Sequence, residues 1–163
     1  MKKKFLLAAA AAIVVGAALH FLYDALPNLL TALISPVNES VWEHLKLLFW
    51  PMLLTGFWLA RGTNDRYALW SGVFTAELCM PLFLLGMFYL LKCGFGVFSL
   101  PLDIALYVVT MALGYFEAYL VFKSKKLEKA AAWLLVPVIL YGASLILFTF
   151  ASPQLGVFIP PEA

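Results

Sequence analysis

Ala130-Ala-Ala-Trp-Leu-Leu-Val-Pro-Val-Ile-Leu-Tyr-Gly-Ala-Ser-Leu-Ile-Leu-Phe-Thr-Phe150 runs for about 20 residues without a charged side chain, the length a helix needs to cross a hydrocarbon core about 30 Å thick. Four further stretches have the same character: Phe5–Tyr23, Val41–Ala60, Ala68–Leu91 and Leu102–Phe122. The whole chain follows them, with 64% hydrophobic and 12% charged residues. Soluble domains are about 45–50% apolar and about 25% charged. A soluble fold of 163 residues has too little interior for so much apolar surface, whereas lipid accommodates it. The sequence therefore predicts a single all-α domain, a bundle of about five transmembrane helices. Leu29–Ile34, between Pro27 and Pro36, is too short to span and reads as a re-entrant or interfacial turn within residues 25–35.

The basic residues orient this bundle. With the N-terminus cytoplasmic, the inner segments hold Lys2, Lys3, Lys4, Arg61, Arg66, Lys123, Lys125, Lys126 and Lys129, and the outer ones only Lys46 and Lys92. That bias follows the positive-inside rule, and five spans then place the C-terminus outside. Tyr23, Trp42, Trp50, Tyr67, Trp70, Tyr89 and Trp133 fall near the span ends, where aromatic side chains favour the interface. A rival reading takes Met1 to Ala18 as a cleaved secretory leader, with a basic start, an apolar core and small residues at 16–18. The apolar run continues through Phe21-Leu-Tyr23, which favours a retained first span. The reading is of a multipass protein of a bacterial cytoplasmic membrane. The small net charge of +2, with no basic run interleaved with aromatics, excludes a nucleic-acid partner. Cys79 and Cys93 lie about 20 Å apart along a helix, too far to bridge.

Ionisable residues within a span are expensive and mark candidate sites. His20 and Asp24, four apart at the outer end of the first span, share a helical face, so that the carboxylate can orient the imidazole. Ser35-Pro-Val-Asn-Glu-Ser-Val-Trp-Glu-His-Leu-Lys46 opens the second span at the same face. It supplies Asn38, Glu39, Ser40, Glu43 and His44 within a few residues. Ser40 and Glu43 have capping-box spacing, which accounts for those two without a ligand. With His20 and Asp24 they form an expected binding cluster, and His20, Glu39, Glu43 and His44 are the expected ligands if a divalent metal binds. Deeper in the bundle, Glu77 and Glu117 belong to adjacent antiparallel spans. Pro81 removes the helical donor of the Glu77 carbonyl. Either a polar pocket or a carboxyl group bonded to Thr75 or Tyr115 would explain Glu77.

Pro36-Val-Asn-Glu-Ser-Val-Trp-Glu-His-Leu-Lys46, followed by Leu-Leu-Phe-Trp-Pro51, resembles the hallmark of a bacterial membrane family, Domain of Unknown Function 6512. His20-Phe-Leu-Tyr-Asp24, Leu147-Phe-Thr-Phe150 and Ser152-Pro-Gln-Leu155 are also similar to that family, and the tail Phe158-Ile-Pro-Pro-Glu-Ala163 departs from it. The resemblance implies a multipass membrane protein and supplies no activity. The outward segments carry Asp24, Glu39, Glu43, Asp103 and Glu162 against Lys46 and Lys92, which suits a cation. The leading expectation is a protein that binds or transports a cation or small polar solute, with Glu77 and Glu117 deeper on its route. A metal-dependent intramembrane hydrolase or lipid-modifying enzyme is the second, so catalysis stays open. A non-catalytic subunit of a larger membrane complex or a homo-oligomer is the third. No Walker loop, H-E-x-x-H or G-x-S-x-G motif occurs.

Overall fold

The computed structural model describes residues 1–160. Glu162, counted above among the outward acids, lies outside them. The described residues are helical with short connections. Eight α-helices follow in order: α1 (Lys2–His20), α2 (Leu22–Ala25), α3 (Leu29–Ile34), α4 (Val41–His44), α5 (Lys46–Ala60), α6 (Arg66–Tyr89), α7 (Leu100–Ser124) and α8 (Ala131–Phe150). A π-turn over Leu90–Gly94 extends α6, and single 3₁₀ turns occupy Glu128–Ala130 and Gly156–Phe158.

Four helical segments are long and apolar enough to cross a membrane: Lys2–His20, Arg66–Gly94, Leu100–Ser124 and Glu128–Phe150. The stretch read as the second span divides instead into α4 and α5, and α5 has only 15 residues. The division lies at Leu45, whose N–H donates to the Trp42 carbonyl at 3.1 Å in a tightened 3₁₀-type turn. Leu45 keeps helical dihedrals (φ −62°, ψ −24°), so the axis continues through it. Further along, Pro51 cannot donate to the Leu47 carbonyl. The hydroxyl of Thr55 donates to the Pro51 carbonyl at 2.8 Å within the same stretch.

The outer faces of the long helices depart from the pattern of a soluble bundle. In α1 the small residues Ala8, Ala12 and Gly16 face inward, while Leu6, Leu7 and Val14 face outward. In α8, Val138, Gly142 and Leu145 are buried, whereas Trp133 is 80% exposed and Ile139, Leu140 and Leu147 are exposed beside it. Small side chains at helix contacts and large apolar ones on the outside are the packing expected where the surroundings are themselves apolar.

α6 is the central element and packs against α5, α7 and α8. Its closest approach is to α7 at Gly72, where an added Cβ would collide with the main-chain carbonyl of Ala118. Backbone cannot rotate aside as a side chain can, so the two helices would have to separate. Gly72→Ala should therefore lower stability by about 1–3 kcal/mol, the usual range for overpacking. Gly86→Ala, in open space on the same helix, should leave stability unchanged or raise it by up to about 1 kcal/mol, since alanine favours the helix over glycine. Denaturant unfolding of the two variants in detergent checks the contrast, and equal losses would contradict it.

Candidate metal centre

The polar segment before α5 is held by its own side chains. Asn28 caps α3: its Oδ1 accepts from Leu30 N–H at 2.9 Å and Thr31 N–H at 3.1 Å, and Thr31 Oγ1 accepts in return from Asn28 N–H at 3.2 Å. Ser35, fully buried, joins this region to the end of α1: its Oγ donates to the Leu19 carbonyl at 2.6 Å and accepts from Tyr23 N–H at 3.1 Å. Asn38 Oδ1 accepts from Ser40 N–H at 2.8 Å, an Asx-type turn that shapes the loop carrying Glu39.

Only half of the capping box forms. Ser40 Oγ accepts from Glu43 N–H at 3.4 Å, but the Glu43 carboxylate does not return to Ser40. It is drawn inward by a stronger partner. The ammonium of Lys46, one turn later, donates to Glu43 Oε2 at 2.6 Å and also to the carbonyls of Ala32 at 2.8 Å and Ser35 at 3.2 Å. Val37 N–H donates to Glu43 Oε2 at 3.0 Å, and Thr149 Oγ1, from α8, donates to Glu43 Oε1 at 2.9 Å. Lys46 has no exposed surface, and Glu43 is buried with it. The expected ligand set including Glu43 is therefore corrected: this carboxylate is committed to a buried ion pair. Thr149 left no local signal, being more than 100 residues away from Glu43.

Asp24 is also separate from the histidines. α1 ends at His20, and Asp24 lies exposed on the following short helix with no side-chain partner among the described residues. The expected i, i+4 pairing gives way because the helix is interrupted at Phe21. His20 turns instead toward the loop and α4. Its Nε2 lies 3.1 Å from His44 Nε2 and 3.9 Å from Glu39 Oε2, and His44 Nε2 lies 3.4 Å from the same oxygen.

These three distances describe a recognisable triangle. A point equidistant from its corners lies about 2.0 Å from each, within the ~2.0–2.2 Å of zinc bonds to imidazole and carboxylate. His44 is already oriented for that role. Its Nδ1 stands 2.8 Å from the Ser40 carbonyl, which can only accept, so Nδ1 carries the proton and the Nε2 lone pair faces the triangle. The side chains are 30%, 26% and 67% exposed for His20, His44 and Glu39, which leaves a side open for a further ligand.

The deeper carboxyl groups occupy different surroundings. Glu77 is fully buried, and neither of its oxygens has a hydrogen-bond partner among the described residues. Its expected partners are engaged elsewhere: Thr75 Oγ1 donates to the Ser71 carbonyl at 2.7 Å, and the Tyr115 hydroxyl pairs with Thr55. Glu117 is partly exposed and stands beside Cys79. Cys79 lies about 200° around α6 from Glu77, so the two carboxyl groups face opposite sides of that helix. At the lysine-rich end, Lys125 closes α7 in a left-handed conformation (φ 56°), and the Asp65 carboxylate 2.9 Å away holds its ammonium above the usual lysine range.

A family model described as a family of unknown function, DUF6512, matches residues 1–161. No curated protein and no solved structure matches the chain. The match extends over the helices, the polar loop and both histidines, and the chain belongs to the DUF6512 family.

Proposed function

We propose that this is a multipass protein of the bacterial cytoplasmic membrane whose outer end binds a zinc-like divalent cation through His20, Glu39 and His44. The observation that carries the reading is the ligand triangle, whose dimensions match a metal centre before any rearrangement. Two imidazoles and a carboxylate suit zinc, copper or nickel better than magnesium or calcium, which favour all-oxygen sets. The membrane part is supported by the large apolar side chains exposed on the long helices. The charge bias supports a cytoplasmic N-terminus and, with it, a triangle on the outer side. α4 and α5, continuous in direction through Leu45, serve as the remaining crossing.

Chelator-stripped protein in detergent is expected to take up a single zinc ion per chain, saturably and with micromolar or tighter affinity. Metal analysis after dialysis and calorimetric titration measure this. Uptake equal to that of a His20→Ala/His44→Ala double variant would refute the reading.

A metal-dependent hydrolase is the second reading, favoured by one feature. Three protein ligands with an open side resemble the hydrolytic zinc arrangement, where a bound water becomes the nucleophile. Zinc-dependent cleavage of an ester or amide lipid by the wild type, abolished in His44→Ala, would select it over simple binding.

A further inference from the structure

Glu77 is housed where an ionised carboxylate has nothing to balance it. The stretches 47–60, 67–91, 104–122 and 130–150 contain no lysine or arginine. Phenols on the neighbouring helices, Tyr115 of α7 and Tyr141 of α8, lie near enough to Glu77 to feel its charge, and neither is hydrogen-bonded to it. Thr55 of α5 contributes a hydroxyl through Tyr115. The hydroxyl of Tyr141 is buried and, like both oxygens of Glu77, has no partner among the described residues. An isolated buried charge is far costlier than a neutral polar group, so the form most readily accommodated is the uncharged acid.

These oxygens also lead somewhere. Tyr107, two helical turns before Tyr115 on α7, lies within electrostatic reach of it. The Tyr107 hydroxyl donates to the Ile13 carbonyl at 3.1 Å and sits against Gly16 of α1, in space that any Cβ there would occupy. Gly16 is one turn, about 6 Å, below His20. These hydroxyl groups step from mid-bundle toward the His20 end without bonding to one another: Tyr115 is bonded to Thr55 and Tyr107 to an α1 carbonyl, so a proton moving along them needs water in the intervals.

We propose that Glu77 is a proton-exchange site whose proton reaches the His20 end of the bundle by way of Tyr115 and Tyr107. On release, the O–H bond of the Glu77 carboxyl breaks and its proton passes to a bridging water, which gives one of its own protons to the Tyr115 oxygen. The phenol's own proton moves through further water to Tyr107, whose proton joins a water molecule at the His20 end. A carboxylate and a hydronium ion result, and the reverse transfer restores both. A dehydrated metal cation would need a shell of several oxygens, whereas two phenols and a carboxyl group are enough for a proton. The inference goes beyond the metal centre and stands without it.

Infrared spectroscopy of the metal-free protein in lipid tests this directly. The wild type is expected to show the carbonyl stretch of a protonated carboxyl group, moving to lower frequency in D₂O. Glu77→Gln should lose that band, and Glu77→Asp should retain it at a shifted position, which guards against a folding defect in the first variant. Tyr107→Phe should retain the wild-type band and exchange several-fold more slowly. Absence of any band sensitive to both Glu77 variants would overturn the proposal. So would a band abolished by sodium salts and not by choline salts, which would mark a sodium site. Exchange as fast in Tyr107→Phe and Tyr115→Phe as in the wild type would overturn the route. A protein that binds no zinc but shows these effects would lose its metal reading and keep this one.

Discussion

Alanine at position 44 should weaken zinc binding by at least about 100-fold while leaving the helices folded. The estimate follows from a comparison of shells. Loss of an outer partner of a metal ligand already costs about 10–100-fold, and in the proposed centre His44 is a direct ligand, fixed by the Ser40 carbonyl at 2.8 Å. Its imidazole is partly exposed, and its ring packs against His20 at the site rather than in the apolar core, so truncation should affect folding little. His20→Ala should behave alike. Glu39→Gln keeps an oxygen in place but removes its charge, so a smaller loss is expected, about 10-fold or more. Asp24→Asn should change nothing, because Asp24 sits exposed on a separate short helix and is not among the clustered ligand atoms of His20, Glu39 and His44. Calorimetric titration gives the affinities, and the visible spectrum of a cobalt(II) substitute reports whether the coordination is four-fold. Equal affinity in His44→Ala and wild type would remove the metal centre. A loss in Asp24→Asn as large as in His44→Ala would mean that the ligands are not those identified here.

The helices and the neighbourhood of the site were legible in the sequence, but its division was not. Long uncharged runs such as 130–150 leave helix as the form that satisfies every main-chain group internally, and a polar cluster in an apolar chain stands out by contrast. His20, Glu39 and His44 were among the candidates for that reason. What sequence spacing cannot assign is a partner for each carboxylate. Glu39 and Glu43 sit four residues apart in the same loop-to-helix passage, and helical periodicity would place them together. Glu43 lies inside α4 and turns to Lys46 and Thr149, whereas Glu39 precedes the helix and its direction is set by the Asx turn of Asn38. The interruption of α1 at Phe21 likewise undid the pairing of His20 with Asp24, an effect of chain direction that residue spacing alone does not carry. Lys46 read as a lone outward charge, and nothing local showed that it would be buried against the carbonyls of Ala32 and Ser35.

That burial carries the larger expected cost in stability. Lys46→Met should destabilise the protein by about 3–5 kcal/mol, because removing one member of a buried pair leaves the other charged and uncompensated. Glu43 would keep Val37 N–H and Thr149 Oγ1 but lose its only cation. Glu43→Gln should cost a comparable amount, leaving the ammonium with two carbonyls and no anion. The double variant should recover much of the loss, since a neutral pair of similar volume has no desolvated charge to carry. Unfolding in a denaturing detergent series measures all three, and their double-mutant cycle gives the coupling. If the double variant is as unstable as the sum of the singles, the pair is not coupled and the account of the buried knot fails. The same variants also separate framework from site. The Lys46 ammonium grips the carbonyls of Ala32, in the last turn of α3, and of Ser35, where the loop bearing Glu39 begins, so Lys46→Met should weaken zinc binding as a consequence of loosening that loop. His44→Ala should weaken zinc binding without loosening anything. A zinc affinity that falls with stability in the Lys46 variants, and independently of it in the His44 variant, is the pattern expected of a metal centre held by a buried ion pair it does not touch.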